Sequence, residues 1–220
     1  DDTRYFGDEL ATSFGELSAV SPGVARTDDV EQWRTELLAQ LVEADDLAFI
    51  SIWSPRFLIA LLEHCEQNAA EIRRAVPSLT RKRALDEAIS GDRLETERLW
   101  PALALISSWT DATAANYVTE LQDRFPHASI QGKGLMATEG VVTIPLAHRP
   151  APVLSIDSAF YEFLDNEGVP RLCDQLHEGD DYEVVMTTYG GLFRYRLGDR
   201  VRVRGYEGEA PLLQLLGRDA

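Results

Sequence analysis

The most informative segment of this chain reads Thr187-Thr-Tyr-Gly-Gly-Leu-Phe-Arg-Tyr-Arg-Leu-Gly-Asp199. The apolar run Tyr182–Thr188 leads into it, and the alternating run Val201–Arg204 follows it. Alternation of apolar and polar residues is typical of a strand with one buried face. Glycine–aspartate pairs are common in turns, so Gly198 and Asp199 also fit a turn between two strands. The segment therefore predicts a β-sheet that carries polar side chains at one of its turns.

Residues 128–220 contain further short runs of the same kind. Candidate strands occur at Val141–Ile144, Val153–Ile156 and Leu212–Leu216. Glycines punctuate these runs, and glycine suits the tight turns that join neighbouring strands. The last third of the chain is therefore predicted to form an antiparallel or mixed sheet.

Residues 1–127 show a different pattern, in which apolar runs alternate with helical ones. The runs Leu47–Trp53 and Leu103–Trp109 predict buried strands, since both are short and apolar. Two polar helices are predicted between them, at 69–76 and 80–98. Such alternation is typical of a parallel sheet with crossover helices. The predicted fold class is α/β, with a mixed sheet and crossover helices in the first half and a strand-rich second half.

The composition of the chain limits the kinds of molecule that we expect it to bind. The chain has 220 residues, a hydrophobic fraction of 45% and a formal net charge of -16. That length and apolar content suffice for a buried core. A surface of such negative charge repels phosphate backbones and anionic lipids, so we predict neither a nucleic-acid nor a membrane partner.

The sequence carries no sign of membrane insertion or secretion. No apolar run reaches the ~20 residues that a transmembrane helix needs, and no signal-peptide pattern opens the chain. Cys65 and Cys173 lack the neighbours of a metal site and are predicted to be free thiols, which is consistent with a cytoplasmic location. The chain begins at Asp1 rather than methionine, which indicates an internal fragment or a processed product.

Four segments, taken in order, resemble the auxin-responsive acyl-acid amido synthetases of the Gretchen Hagen type, a branch of the adenylate-forming enzyme superfamily. These segments are Ile52–Pro55, Gln131–Gly140, Tyr161–Phe163 and Thr187–Asp199, with Leu216–Arg218 closing the last. The likeness extends from about Leu17 to Arg218, and the last segment is its most specific part. The resemblance implies that residues 1–220 form one incomplete adenylate-forming large domain. Its helix-rich sheet layer would be 1–127, and its strand-rich nucleotide-site part 128–220.

The resemblance implies a ligase that uses ATP and Mg²⁺. In this family a carboxylic acid attacks the α-phosphate of ATP to give an acyl-adenylate, and an amine, usually that of an amino acid, then displaces AMP. The two anions of the first step repel each other by about 4 kcal/mol at ~4 Å near a protein surface, so a cation and phosphate-facing donors are needed. The resemblance assigns these catalytic roles to Thr138, whose hydroxyl donates to a phosphate oxygen, and to Glu139, the ligand of Mg²⁺. An ordinary polar turn at Thr138-Glu139 is the alternative.

The resemblance also places residues around the nucleotide. Asp199 would accept hydrogen bonds from both ribose hydroxyls, because an ionised carboxylate can accept two donors at once. Gly140 would let the backbone approach closely. Arg218 occupies the position of the arginine at the hinge before the family's mobile lid, and it would contact the ribose.

Aromatic residues complete the predicted binding site. Tyr189 and Phe193 are candidates for lining the nucleotide or acyl pocket, with a place in the core as the alternative. Trp109-Thr110-Asp111 follows the second central strand, and in related enzymes the loop at that position lies against the adenine. A helix N-cap at Thr110 or Asp111 fits the same residues.

Two parts of the family's active site have no counterpart in this sequence. Neither the glycine-rich phosphate loop upstream nor the lid domain after the hinge is found, so we expect these 220 residues alone to give no turnover. The parent protein is predicted to join a carboxylic acid to an amine. A truncated, non-catalytic module that binds a nucleotide or a partner is the alternative. Truncation should expose core faces, so we expect self-association through that surface and partial disorder in residues 1–25.

Overall fold

A computed structural model of the protein describes residue 15 and residues 17–218, and the chain forms two compact units. The first unit takes the described residues up to Ser51 with 56–106 and 119–129, and the second takes 52–55, 107–118 and the described residues from 130 onward. Most of the segment 1–25, for which we predict partial disorder, lies outside the described residues. The assignment of the chain to one incomplete domain stays a prediction.

Helices dominate the first unit. The α-helices, which belong mainly to this unit, are α1 (Val30–Glu43), α2 (Pro55–Gln67), α3 (Ala69–Ala75), α4 (Leu79–Ala88), α5 (Thr96–Leu99) and α6 (Val118–Arg124). Asp29 caps α1, because its carboxylate accepts a hydrogen bond from the Gln32 N–H at 2.8 Å. Ser78 caps α4 in the same way through the Arg81 N–H. Among the described residues, no helix combines the length and apolar character that crossing a membrane requires.

The helix predicted over 80–98 is wrong in its second half. Helix α4 ends at Ala88, and the chain then turns back as a hairpin of β2 (Ile89–Ser90) and β3 (Arg93–Leu94) before α5 begins. Gly91 takes the left-handed conformation that suits this tight turn, with a φ of 62°. A glycine therefore interrupts a segment whose polar pattern alone favours a continuous helix.

The interior of the first unit is apolar, with one charged pair at its edge. Its fully buried side chains include Leu38, Ile59, Leu62, Ile72, Leu99 and Ile106. Burial of such a side chain contributes about 1.5–3 kcal/mol. Glu66 and Arg124 form an ion pair whose side chains are only 10% and 12% exposed, and the Glu66 carboxylate also accepts the Leu94 N–H at 2.6 Å. This pair connects α2, α6 and β3.

A short three-stranded sheet has the order β1 (Phe49–Ser51), β4 (Leu105–Ser108), β5 (Ser129–Gly132). Just after β1, the Ile52 N–H donates to the Ser107 carbonyl at 2.9 Å, and the Trp109 N–H donates to the Trp53 carbonyl at 3.0 Å. Because the residue numbers of both partners increase together, the two segments run parallel. The parallel pairing predicted for the first half is confirmed.

A larger antiparallel sheet builds the second unit. Its strands, in spatial order, are β11 (Pro170–Arg171), β10 (Phe160–Leu164), β12 (Asp181–Thr187), β13 (Tyr195–Glu207), β14 (Ala210–Arg218), β9 (Val153–Leu154) and β8 (Thr143–Ile144). Separately, β6 (Met136–Ala137) and β7 (Gly140–Val141) pair as a hairpin. The predicted strand-rich second half is confirmed. One face of the large sheet holds the core of this unit, in which Phe163, Val184, Val201 and Val203 are completely buried.

A bulge near the ends of β13 and β14 sets the position of two charged side chains. Asp199 lies opposite Arg218, whereas Val201 lies opposite Leu215, so β14 has one residue more than β13 over this stretch. Gly217 accommodates the extra residue with a φ of 122°, which favours glycine. The bulge leaves Asp199 paired with Arg218 inside the continuous strand β13, so the turn predicted at Gly198 and Asp199 is wrong.

Candidate active site

A cavity of about 530 Å³ lies within the second unit. Three parts of the chain line it, namely residues 109–114 after β4, residues 134–139 around the β6–β7 hairpin, and the paired ends of β13 and β14. The predicted site residues that it brings together are Trp109, Thr110, Thr138, Glu139, Asp199 and Arg218. We take this cavity as the candidate active site.

Asp199 and Arg218 form a double hydrogen bond in the wall of the cavity. The Arg218 Nε donates to Asp199 Oδ1 at 3.0 Å, and its Nη2 donates to Oδ2 at 3.4 Å. Asp199 is buried, while the Arg218 side chain is largely exposed. The hydrogen bond to Asp199, together with the charge of that carboxylate, raises the pKa of Arg218. A carboxylate balanced in this way still has lone pairs for further donors.

Thr138 and Glu139 form the two-residue turn of the β6–β7 hairpin. The Thr138 hydroxyl donates to Glu139 Oε2 at 2.9 Å. That hydrogen bond is the largest of several influences that lower the pKa of Glu139; others are its own backbone N–H, the Tyr195 hydroxyl and the charge of Arg218. Thr138 and Glu139 therefore form the polar turn that the alternative predicts. The same turn also presents an ionised carboxylate to the cavity.

Two glycines allow close packing around this hairpin. A Cβ at Gly134 would lie 2.7 Å from Thr143 Oγ1 and 2.9 Å from the Thr143 carbonyl oxygen, and the φ of Gly134 is 76°. A Cβ at Gly140 would lie 2.8 Å from Met186 Cε. The close approach predicted at Gly140 therefore involves a core side chain of the sheet, and a contact between Gly140 and a nucleotide stays a prediction.

Trp109 and Thr110 begin the wall that follows β4. The Trp109 ring lies 5.2 Å from that of Trp53, centroid to centroid, and Lys133 Nζ lies 5.2 Å from the Trp53 centroid. A Cβ added at Gly132 would lie 2.5 Å from Thr110 Oγ1, so the Thr110 side chain packs directly against β5. Both residues line the cavity. Their contact with an adenine stays a prediction.

Asp111, the last residue of the predicted Trp109-Thr110-Asp111 loop, also lines the cavity. It occupies the N-cap position of a 3-10 helix, Ala112–Tyr117, but its side chain makes no capping hydrogen bond. The backbone of Leu215 in β14 is its hydrogen-bond partner instead, and burial raises the pKa of Asp111. Asp111 thus occupies the N-cap position that the alternative predicts, but its side chain does not make the capping hydrogen bond. The one sequence signal for this residue is its place directly after a parallel strand, where ligand-binding groups often gather.

Tyr189 and Phe193 lie away from the candidate site. Tyr189 is 97% exposed and borders a second cavity, of about 390 Å³, together with Ile156, Phe160 and Thr187. Phe193 is 81% exposed and lies in the turn between β12 and β13. The core alternative is therefore wrong for both residues, and their position gives no support to a role in the same pocket as Asp199.

The side chains around the cavity would hold Mg²⁺ only together with oxygen atoms from a bound substrate and from water. Across the part of the chain that the structure describes, no group of three or more histidine, cysteine, aspartate or glutamate side chains is arranged to hold a metal. Glu139 would therefore be a protein ligand to an ion completed by water and phosphate oxygens. Mg²⁺ commonly takes such a shell.

Comparison with known proteins agrees with this fold. The model of the GH3 family central domain matches residues 152–218. The chain is 25% identical to a probable indole-3-acetic acid-amido synthetase GH3.1 of Oryza sativa subsp. japonica, over 98% of its own length and 42% of that protein. It is 29% identical to indole-3-acetic acid-amido synthetase GH3.4 of Arabidopsis thaliana, over 56% of its own length and 23% of that protein.

Solved structures show the same relationship at the level of the backbone. The chain superposes on a GH3.15 acyl acid amido synthetase with a TM-score of 0.79 and 22% identity, over 96% of this chain and 44% of the other. It superposes on AtGH3.15 acyl acid amido synthetase in complex with 2,4-DB with a TM-score of 0.71 and 23% identity, over 87% and 39% of the two chains.

The protein therefore has the mixed α/β fold of the acyl acid amido synthetases. The chain is similar to the GH3 amido synthetases, and the resemblance indicated by its four sequence segments is confirmed. It spans between 23% and 42% of the length of the two curated relatives named above.

Proposed function

We propose that this chain supplies the nucleotide-binding side of an active site that joins a carboxylic acid to an amine through an acyl-adenylate. The observation that carries the proposal is that one cavity collects Thr138, Glu139, Asp199 and Arg218 from separate parts of the sequence. The names of the relatives, indole-3-acetic acid-amido and acyl acid amido synthetases, favour a carboxylic acid and an amino acid as substrates. An ATP-dependent ligation of this kind is expected in the cytoplasm.

The hairpin turn would bind the phosphate side of ATP. The lowered pKa of Glu139, caused first by Thr138, keeps the carboxylate ionised at neutral pH and so able to hold Mg²⁺. When bound there, Mg²⁺ would neutralise part of the phosphate charge that repels the substrate carboxylate. The Thr138 hydroxyl, which donates to Glu139 in this structure, can rotate to donate to a phosphate oxygen.

The paired strand ends would bind the ribose. The Asp199 carboxylate is buried beside the cavity, and its orientation is fixed by the two hydrogen bonds from Arg218. An ionised carboxylate has about four acceptor positions, so two ribose hydroxyls can donate to Asp199 while the guanidinium remains in place. The exposed part of Arg218 is then available to contact the nucleotide as well.

ATP–pyrophosphate exchange by the full protein tests the proposal. The assay is run with a panel of carboxylic acids, and Glu139→Gln and Asp199→Asn are compared with the unmodified protein. Loss of contacts to a charged group, about 1.5–3 kcal/mol, should lower exchange by roughly 10- to 100-fold in each variant. Asp181→Asn is the matched control, because Asp181 pairs with Arg202 at 2.6 and 2.8 Å on the same sheet and outside the cavity.

The outcomes separate adenylation from its alternatives. Exchange that depends on one class of acid and on both cavity carboxylates would establish the reaction and name that class. A folded protein that exchanges no pyrophosphate with any acid would instead support the non-catalytic binding module. Equal losses in Asp181→Asn and Asp199→Asn would show that the effect comes from the stability of the sheet.

A further inference from the structure

The candidate site contains a third carboxylate, to which the proposed function assigns no role. Asp111 lines the same cavity as Glu139 and Asp199. Its carboxylate accepts a hydrogen bond from the backbone of Leu215, so its position is set by β14 rather than by the helix that it precedes. A side chain that is fixed in this way by a neighbouring strand is available to a ligand in the cavity.

The three carboxylates differ in how their charge is balanced. Neighbouring side chains donate hydrogen bonds to Glu139, and a guanidinium pairs with Asp199. Burial raises the pKa of Asp111 and a backbone hydrogen bond from Leu215 lowers it, whereas the guanidinium of Arg218, which lines the same cavity, is paired with Asp199. Burial disfavours the charged form of a carboxylate, so a cationic group that enters the cavity beside Asp111 is favoured.

The backbone around Asp111 is held in an unusual conformation. Ala112 has a φ of 52°, in the left-handed region that alanine rarely adopts. The facing residue of β14 is Gly217, where a Cβ would lie 3.8 Å from the Ala112 Cβ. The chain therefore makes a sharp turn immediately after Asp111, next to β14. Strained residues of this kind concentrate at functional sites.

We propose that Asp111 binds the ammonium group of the amine substrate, which would be an α-amino acid or another primary amine. This inference rests on the proposed function, in which an amine attacks the activated acid. An ammonium group carries a positive charge and three N–H donors, which a carboxylate at the edge of the cavity can accept. Binding there holds the amine nitrogen in the same cavity as the activated acid, and such positioning is a large source of rate in two-substrate reactions.

The test compares two nucleophiles in the full protein. Asp111→Asn keeps an amide oxygen that can still accept the Leu215 N–H, so the backbone arrangement is preserved while the negative charge is lost. Pyrophosphate exchange reports the first half-reaction. Hydroxylamine, which is uncharged at slightly alkaline pH, intercepts the adenylate without an ammonium site. Its nitrogen bonds to the acyl carbon and loses one proton to the solvent, the bond from that carbon to the phosphate oxygen breaks, and AMP leaves.

The variant should separate these activities. Exchange and hydroxamate formation should fall much less than amide formation at low amino-acid concentration, because neither uses the ammonium group. The KM for the amino acid that the unmodified protein conjugates fastest should rise about 10- to 100-fold, as loss of a contact to a charged group predicts. The retained exchange would itself show that the variant is folded, and Asp111→Glu should recover part of the affinity for the amino acid.

Three results would overturn the inference. One is an unchanged KM for the amino acid in Asp111→Asn. Another is an equal loss of exchange and of hydroxamate formation, with a higher Mg²⁺ requirement, which would make Asp111 part of the metal or nucleotide site. The third is an unmodified protein that exchanges no pyrophosphate with any acid, which would remove the proposed function and this inference together.

Discussion

Arg218 lies directly opposite Asp199 across β13 and β14, and its guanidinium donates to both carboxylate oxygens, at 3.0 and 3.4 Å. The two side chains differ in environment, because that of Asp199 is 9% exposed and that of Arg218 is 65% exposed. The negative charge is thus held in the interior, and its counter-charge lies at the surface. Any ligand that donates to Asp199 has to share the carboxylate with this arginine.

Removal of that arginine should destabilise the second unit. Arg218→Ala leaves the buried Asp199 carboxylate without its two donors, and we expect the free energy of unfolding to fall by about 1–3 kcal/mol in urea titrations. Arg202→Ala is the matched control, because its partner Asp181 is more exposed, at 24%. An exposed pair contributes roughly 0–1 kcal/mol, so the control should lose less. Equal losses would contradict the interior placement of Asp199.

Removal of the Thr138 hydroxyl should raise the pKa of Glu139. The pKa of Glu139 is lowered first by Thr138 and to a lesser extent by Tyr195, so Thr138→Val should raise this pKa more than Tyr195→Phe. A lowered pKa means that the stabilising contribution of the ionised form is present at neutral pH and is lost as the pH falls through the folded-state pKa. Carbon-detected NMR titration of the Glu139 carboxyl measures both variants. The reverse ranking would show that the hairpin turn has another geometry in solution.

Gly134 should tolerate alanine less well than a glycine of similar backbone conformation. Gly134 and Gly168 have φ values of 76° and 77°, but a Cβ at Gly168 meets no atom within 4 Å, whereas one at Gly134 meets Thr143 at 2.7 and 2.9 Å. Gly168→Ala should therefore cost only the left-handed strain, about 1–2 kcal/mol. Gly134→Ala adds overpacking of about 1–3 kcal/mol. Thermal or urea unfolding of the two variants measures the difference, and equal costs would argue against close packing at the hairpin.

The ion pair between Glu66 and Arg124 should contribute more to the free energy of unfolding than an ion pair at the surface. Glu66→Gln leaves Arg124 buried without its counter-charge, and we expect a loss of about 3–5 kcal/mol in the free energy of unfolding. Asp86→Asn is the control, because Asp86 pairs with Arg73 where the two side chains are 50% and 44% exposed. That variant should lose less than about 1 kcal/mol. A small loss in Glu66→Gln would mean that water reaches Arg124.

The sequence predicts the long strands of the second unit better than its short ones. Strands β12 and β14 and the central part of β13 follow from apolar runs and alternation, because each has one face in the core, whereas the sequence does not show that β13 continues through Gly198 and Asp199. Strand β10, Phe160–Leu164, is not predicted as a strand, although its buried residues alternate with more exposed ones. Four of its five residues are apolar, so the period of two is hidden in the sequence even though it is present in the burial of the side chains.

The candidate site is only partly readable from the sequence. Motif resemblance indicates Glu139 and Asp199, whose neighbours in the chain are distinctive. For Asp111 it indicates only a place in the loop after a strand, where a helix cap fits equally well, because its contact with the backbone of Leu215 in β14 joins residues far apart in the sequence. Tyr189 and Phe193 lie beside the motif in the chain, but they are not in the lining of this cavity, and Tyr189 borders the second cavity instead. Local sequence does not determine either outcome.

The contact between Trp53 and Trp109 gives the cavity an optical reporter. Their rings are 5.2 Å apart and inclined by 53°, a geometry in which the electronic transitions of two indoles couple. Of the two, Trp109 borders the cavity, whereas Trp100 is buried and Trp33 stacks on Phe57 in the first unit. Occupation of the cavity will therefore appear in the near-ultraviolet circular dichroism and in the emission of the protein itself, without an attached dye.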